Sequence, residues 1–177
     1  MNKKNIIFIG GIHGVGKTTF TKKMSQIFGV DFYSASELIT IAGKKIFKDK
    51  LTRDIDGNQN ILINAIRTVL KKDKLYFLDG HFCLLDKNSH IKKIPIDTYS
   101  KMNIRLLIIL TDNIENIYNR LKVRDGIGYD LNVIKEFQNE EINYANEISL
   151  LLQIPLININ TTVYDSSILS SIEKFVT

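Results

Sequence analysis

Gly11-Ile12-His13-Gly14-Val15-Gly16-Lys17-Thr18 follows directly on the apolar run Ile6 to Ile9 and fills the pattern G-x-x-x-x-G-K-[ST]. The spacing has a mechanism behind it. Glycines let successive backbone N–H groups turn inward around an anion, through backbone angles that side chains oppose. Within the pattern the lysine, Lys17, reaches the β- and γ-phosphates of a nucleotide, and the hydroxyl of Thr18 faces a magnesium ion. The four fixed positions would match by accident in roughly one chain of this length in a hundred. Context narrows the odds further. A strand-like run precedes the loop, and a stretch with Phe20, Met24, Ile27 and Phe28 at helical spacing follows it, as a phosphate loop requires. The backbone cradle is therefore assigned to Gly11, His13, Gly14, Val15, Gly16, Lys17, Thr18 and Thr19.

Working outward, apolar runs recur at Asn5 to Gly10, Val30 to Tyr33, Lys74 to Asp79, Asn103 to Leu110 and Ile154 to Ile159. Helical stretches separate them. Asn58 to Lys72 places Ile61, Ala65, Ile66, Val69 and Leu70 on one face, and Asp130 to Leu152 does the same with Val133, Ile134, Phe137, Ile142, Ala145 and Ile148. Strands alternating with helices predict an α/β chain: a three-layer P-loop NTPase fold, with a five-stranded parallel sheet and helices on both faces. Ser34 with Glu37, and Asp112 with Glu115, have the spacing of capping boxes at helix entrances. The stretch Asp86 to Thr98 lacks either period and reads as a surface loop.

Bulk properties exclude several classes. At 177 residues, 44% hydrophobic, the chain fits one domain spanning 1–177. The longest apolar run, Leu106 to Leu110, is far short of the roughly 20 residues of a membrane span. The N-terminal apolar run leads straight into the loop, unlike a secretory signal, so a cytoplasmic location is expected. One cysteine, Cys83, excludes an internal disulfide and a cysteine-based metal site, and reads as a small core residue. The net charge of +5 suits acidic ligands. The basic residues come as scattered pairs such as Lys22-Lys23 and Lys92-Lys93, a pattern that makes nucleic acid an unlikely main partner.

Two further segments carry chemistry. Leu75-Tyr76-Phe77-Leu78-Asp79-Gly80-His81 is a strand ending in an aspartate, and strand ends of an open parallel sheet share one ligand crevice. Asp79 is thus placed to hold magnesium through water or to orient a phosphoryl acceptor. In Asn119-Arg120-Leu121-Lys122-Val123-Arg124-Asp125 the two arginines stand four apart, on one helical face, before the turn Gly126-Ile127-Gly128. Arg120 and Arg124 can clamp a transferring phosphoryl group, whose transition state is stabilised by positioning and positive charge. Pairing with Asp125 or Glu115 is the alternative for either arginine. The guanine-reading pattern N-K-x-D is absent from the sequence.

The order of phosphate loop, D-G-H strand end and R-x-x-x-R segment resembles that of nucleoside monophosphate kinases. The likeness is greatest to the archaeal-type adenylate kinases, with Asp79-Gly80-His81 and Val123-Arg124-Asp125 standing at their D-x-H and V-R-D positions. It extends through nearly the whole chain. Two departures stand out: His13 where many of these kinases have proline, and Asp79-Gly80-His81-Phe82-Cys83 where D-G-[FY]-P-R is usual, so that arginine is missing. The resemblance implies transfer of the γ-phosphoryl group of ATP, with Mg2+, to a nucleoside monophosphate resembling AMP. Lys17, Arg120, Arg124 and Asp79 would be catalytic, and a short lid would span about 124–130. The acceptor would lie along about 34–64, with Ser34, Ser36, Arg53, Gln59 and His81 as its contacts, Arg53 offering the planar fork that suits a monophosphate. The donor adenine would rest near Asn160-Thr161-Thr162, and the resemblance implies a monomer or small homo-oligomer. Transfer between phosphates needs no general base, so His13 and His81 read as contact residues. Two other classes stay open: a nucleotide-dependent regulatory ATPase without a small acceptor, and a kinase acting on nucleic-acid ends.

Overall fold

Every residue of the first strand, β1 (Ile6–Gly10), is buried. Successive side chains of a strand point to opposite faces, so burial of all five means that both faces of the sheet are covered. The computed structural model describes residues 5–46, 55–86, 90–163 and 165–177. Four more parallel strands join β1: β2 (Asp31–Ser34), β3 (Tyr76–Asp79), β6 (Ile104–Thr111) and β7 (Leu156–Asn160), in the order β2-β3-β1-β6-β7. The predicted five-stranded parallel sheet and P-loop NTPase-like fold are what the structure shows.

The helices are α1 (Lys17–Phe28), α2 (Ala35–Ile46), α3 (Ile55–Val69), α4 (Ile96–Ser100), α5 (Ile114–Asp125), α6 (Leu131–Leu152) and α7 (Ser166–Glu173). The periodic faces of α3 and α6 are largely buried as read, with Ala65, Ile66, Ile134, Phe137, Ala145 and Ile148 in the core. Val133 of α6 is not, and on α1 Ile27 likewise stands exposed. Phe8, Phe82 and Tyr99 form an aromatic cluster under the centre of the sheet, with ring centroids 5.2–5.6 Å apart.

The chain crosses from β3 to β6 on the other side of β1, so strand order reverses beside β1. In an open parallel sheet that reversal opens a crevice at the C-terminal strand ends. Gly10, Ser34 and Asp79 end their strands there, Asp112 follows β6 and Thr161 follows β7. Register aligns Ser34 and Ile9 with Asp79.

Within the stretch Asp86 to Thr98, the described residues 90–98 are not a plain surface loop. Ile91–Lys93 forms β5 and pairs antiparallel with β4 (Cys83–Leu85), and the short α4 follows. Three-residue strands are too brief for an alternating pattern to be read. The second capping box is also corrected: Asn113, not Asp112, caps α5, its side chain accepting from Glu115 N at 2.8 Å. The Asp112 carboxylate instead accepts the N–H of Asn113, the amide of Asn116 and the guanidinium of Arg120. At the other predicted box, Ser34 Oγ accepts from Glu37 N at 3.1 Å and Glu37 reaches back to Ser34 N at 3.4 Å.

Candidate functional site

The phosphate loop runs from the end of β1 to the start of α1. Gly14 and Gly16 hold φ of 81° and 101°, a region that L side chains rarely enter, and a Cβ at Gly14 would come within 2.9 Å of Leu121 on α5. Glycine here thus serves both the turn and the close packing of α5 against the loop. Helix α1 begins after Gly16 with no side-chain cap and no acidic residue in its first turn. Its free N–H groups and positive dipole end face the cleft, a ready site for an anion.

Lys17 is buried, its Nζ donating to Gly11 O at 2.6 Å and Ile12 O at 3.0 Å. Burial pushes its ammonium down to about 8, against the pull of Glu141 and Asp79. His81 Nε2 lies 3.1 Å from Lys17 Nζ and accepts from it, since burial and the lysine hold His81 well below its usual value and so neutral. The His13 ring lies tilted against that of His81, centroids 4.3 Å apart, and burial followed by Lys17 lowers His13 to about 4. Neither ring is positioned as a cation at neutral pH.

Thr18 Oγ1 donates to Asp79 Oδ2 at 3.3 Å. Burial pushes the Asp79 carboxyl up, with Lys17 and Thr18 opposing. A hydroxyl and a carboxylate side by side, at the mouth of an anion cradle, fit the oxygen ligands that magnesium takes.

One cleft of about 650 Å³ brings most of the sequence-derived residues together: His13, Gly14, Gly16, Lys17, Thr18 and Thr19 of the loop and α1, Ser34, Ser36, Asp79 and His81 around the ends of β2 and β3, and Arg120 with Arg124 from α5. A second cleft of about 340 Å³ lies across the loop, where Thr161 meets Val15, Thr19 and Arg120. Gln59 stands apart from the main cleft, and Arg53 lies outside the described residues. The arginines are engaged. Arg120 donates to Gly14 O at 2.9 Å and pairs with the buried carboxylate of Asp112. Arg124 forks onto Asp125 at 2.6 and 2.7 Å, the pairing that the sequence left as its alternative, and Tyr129 donates to the same carboxylate. An exposed pair of this kind is screened by water and contributes little, so Arg124 is held only loosely.

Three residues missed in the sequence support the site. Glu141 on α6 is wholly buried and accepts from Phe82 N at 3.0 Å and Cys83 N at 3.2 Å, fixing the backbone just after His81. Burial raises its carboxyl to about 7, with Lys17 and the two N–H groups pulling down. Its signal was a charged residue four after Phe137 and four before Ala145, inside the apolar stripe. Gln138 bridges Asp112, accepting from its N–H and donating to its C=O, both at 3.0 Å. Tyr99 OH donates to His81 O at 2.9 Å from the floor. Cys83 is buried as expected, its thiol pushed up to about 12 by burial and then by Glu141, and so unreactive.

The Lys17 environment gives a testable consequence. Free Lys17 is part-deprotonated at pH 8.5, and a triphosphate beside it favours the ammonium. ATP binding at pH 8.5 is expected to take up protons, and Lys17→Met to remove that uptake. Calorimetry in two buffers of different ionisation enthalpy measures it; equal uptake by the variant would refute the assignment.

The crevice at the strand ends, the glycine loop and the uncapped helix define a P-loop nucleotide-binding domain. A family model described as an AAA domain matches residues 10–138, and the chain belongs to that family. Among solved structures the chain is similar to a gluconokinase from Sinorhizobium meliloti 1021, at 12% identity, TM-score 0.53, covering 99% of this chain and 91% of that one. It is similar to a candidate kinase from Chloroflexus aurantiacus j-10-fl at 12% identity, TM-score 0.54 and 98% and 96% coverage. TT1252 from Thermus thermophilus gives 12% identity, TM-score 0.57 and 99% coverage of both chains. Identities this low speak for the fold. Comparison with curated protein sequences gives no match. No helix among the described residues is long and apolar enough to cross a membrane.

Proposed function

We propose that the protein is a magnesium-dependent phosphotransferase that moves the γ-phosphoryl group of ATP to a small acceptor, a nucleoside monophosphate of the AMP type. One observation carries this reading: the phosphate loop and the residues assigned here to the acceptor, Ser34, Ser36 and His81, line one cleft together with two arginines of α5. Donor and acceptor phosphates can therefore meet in line, which supplies most of the catalysis in phosphoryl transfer.

In this scheme the N–H groups of Gly14 to Thr19 bind the triphosphate, and Lys17 leaves the carbonyls of Gly11 and Ile12 to follow the transferring group. Thr18 and Asp79 would hold the magnesium ion, which when bound neutralises charge on the β- and γ-phosphates. Arg120 holds the loop through Gly14 O and presents charge from the donor side. Arg124, released from Asp125, closes with the segment 124–130 and excludes water, which otherwise makes the enzyme an ATPase. The acceptor phosphate oxygen attacks the γ-phosphorus, the bond to the β-bridging oxygen breaks, and ADP leaves. No proton need be removed from an acceptor oxygen that is already anionic, which agrees with His13 and His81 being held neutral and acting as contacts. The donor adenine is assigned to the second cleft, beside Thr161.

Gluconate, nucleoside monophosphates, deoxynucleotides and oligonucleotide ends, each assayed for ADP release against acceptor-free controls, test the proposal. Stimulation by a nucleoside monophosphate is expected. Acceptor-independent release at the same slow rate throughout would instead favour a regulatory ATPase, and salt-sensitive stimulation by oligonucleotides a nucleic-acid end kinase.

A further inference from the structure

The phosphate loop carries His13 where the resemblance expects proline, and nothing in the transfer scheme uses its ring. The neighbouring side chains of the cleft are committed. Ser34 Oγ and Ser36 Oγ bond each other at 3.1 Å, Thr18 Oγ1 donates to Asp79, and Lys17 Nζ donates to His81 Nε2. In the tautomer that accepts at Nε2, His81 carries its proton on Nδ1, so no lone pair is left over. His13 has one. The residue is exposed at the main cleft, its ring makes no hydrogen bond among the described residues, and being neutral it keeps a free lone pair on one nitrogen.

Position puts that ring beside the transferring group. Its centroid is 4.3 Å from that of His81, whose Nε2 is 3.1 Å from Lys17 Nζ, and Lys17 follows the γ-phosphoryl group. Lys17 and Arg124, both assigned to that group, also act on the charge of His13. His13 lines the main cleft and not the second one, to which the donor adenine is assigned, so it stands on the side of the γ-phosphorus away from the leaving ADP.

Resting on the phosphotransferase reading of the cleft, we infer that His13 is a phosphorylation site: with ATP bound and no acceptor present, the chain transfers the γ-phosphoryl group to its own imidazole. The lone pair of the unprotonated ring nitrogen forms the N–P bond, the bond from the γ-phosphorus to the β-bridging oxygen breaks, and its electron pair leaves with ADP. The proton on the other ring nitrogen stays in place. A serine or threonine hydroxyl would first have to lose a proton, which the imidazole nitrogen does not.

Incubation of the full chain with magnesium and ATP labelled at the γ-phosphorus, without acceptor, tests this, with transfer to AMP measured on the same preparation. Protein-bound label is expected, lost in acid and retained in alkali as an N–P bond requires. Mass spectrometry of the unaltered chain is expected to place it on the peptide that contains His13, and His13→Asn is expected to carry none. Label that survives acid, label mapped to any other residue, or label undiminished in His13→Asn would overturn the inference. Transfer to AMP by a chain that stays unlabelled would overturn it too and leave the phosphotransferase reading intact. Label on His13 without transfer to AMP would leave the inference standing and overturn the assigned acceptor, and neither label nor transfer would overturn both.

Discussion

Lys17→Ala is expected to lower phosphoryl transfer by roughly a thousandfold or more while leaving the fold intact. The loss follows from position: Lys17 is the lysine of the phosphate loop, its Nζ beside the loop carbonyls, and Asp79 and Arg124 both act on its charge. The intact fold follows from the sign of its shift. Its folded value, about 8, lies below the unfolded value of 10.5, so the buried charge destabilises the fold at neutral pH. That penalty fades as pH rises from about 8 toward 10.5, where the unfolded chain holds the proton longer. Alanine removes the charge, so Tm at pH 7 is expected to stay level or rise. Steady-state transfer rates and thermal unfolding measured on the same preparation check both halves; near-normal transfer would refute the role of Lys17.

The second large effect falls on Glu141. Glu141→Ala leaves the N–H groups of Phe82 and Cys83 without an acceptor and opens a cavity beneath the segment that carries His81. Leaving two buried N–H groups without a partner costs about 1–3 kcal/mol each, which for a chain of this size lowers Tm by about 4–24 °C. Glu141→Gln keeps an oxygen for the N–H groups and is expected to be milder. It also removes the charge that most strongly raises Lys17, so the alkaline fall in transfer should move to lower pH. Circular dichroism melts and a pH–rate profile separate the two effects. A stable Glu141→Ala protein would show that the loop is held by other contacts.

The phosphate loop was legible because its chemistry is local: glycines, lysine and threonine act through the backbone that carries them. The central strands β1, β3 and β6 were legible because strands buried on both faces read as short apolar runs, as in Ile6 to Ile9 and Leu106 to Leu110. What escaped depends on distant partners. Asp112 and Asn113 are adjacent residues of similar capping ability, and only Arg120, eight residues on, and Gln138 on another helix decide which one caps. Glu141 bonds backbone groups 58 and 59 residues away, a contact no periodicity reports. The β4–β5 pair, three residues a side, carries too little pattern to be separated from a loop. That Gln59 Oε1 is buried without a hydrogen-bond partner among the described residues appears only once the fold is built around it.

Phosphorus NMR of the γ-phosphoryl group tests the central claim most directly, by following it in a mixture of ATP, AMP, magnesium and enzyme. Transfer to the acceptor is expected to consume ATP and AMP together and to leave ADP as the accumulating product. Inorganic phosphate appearing while AMP remains unchanged would contradict it.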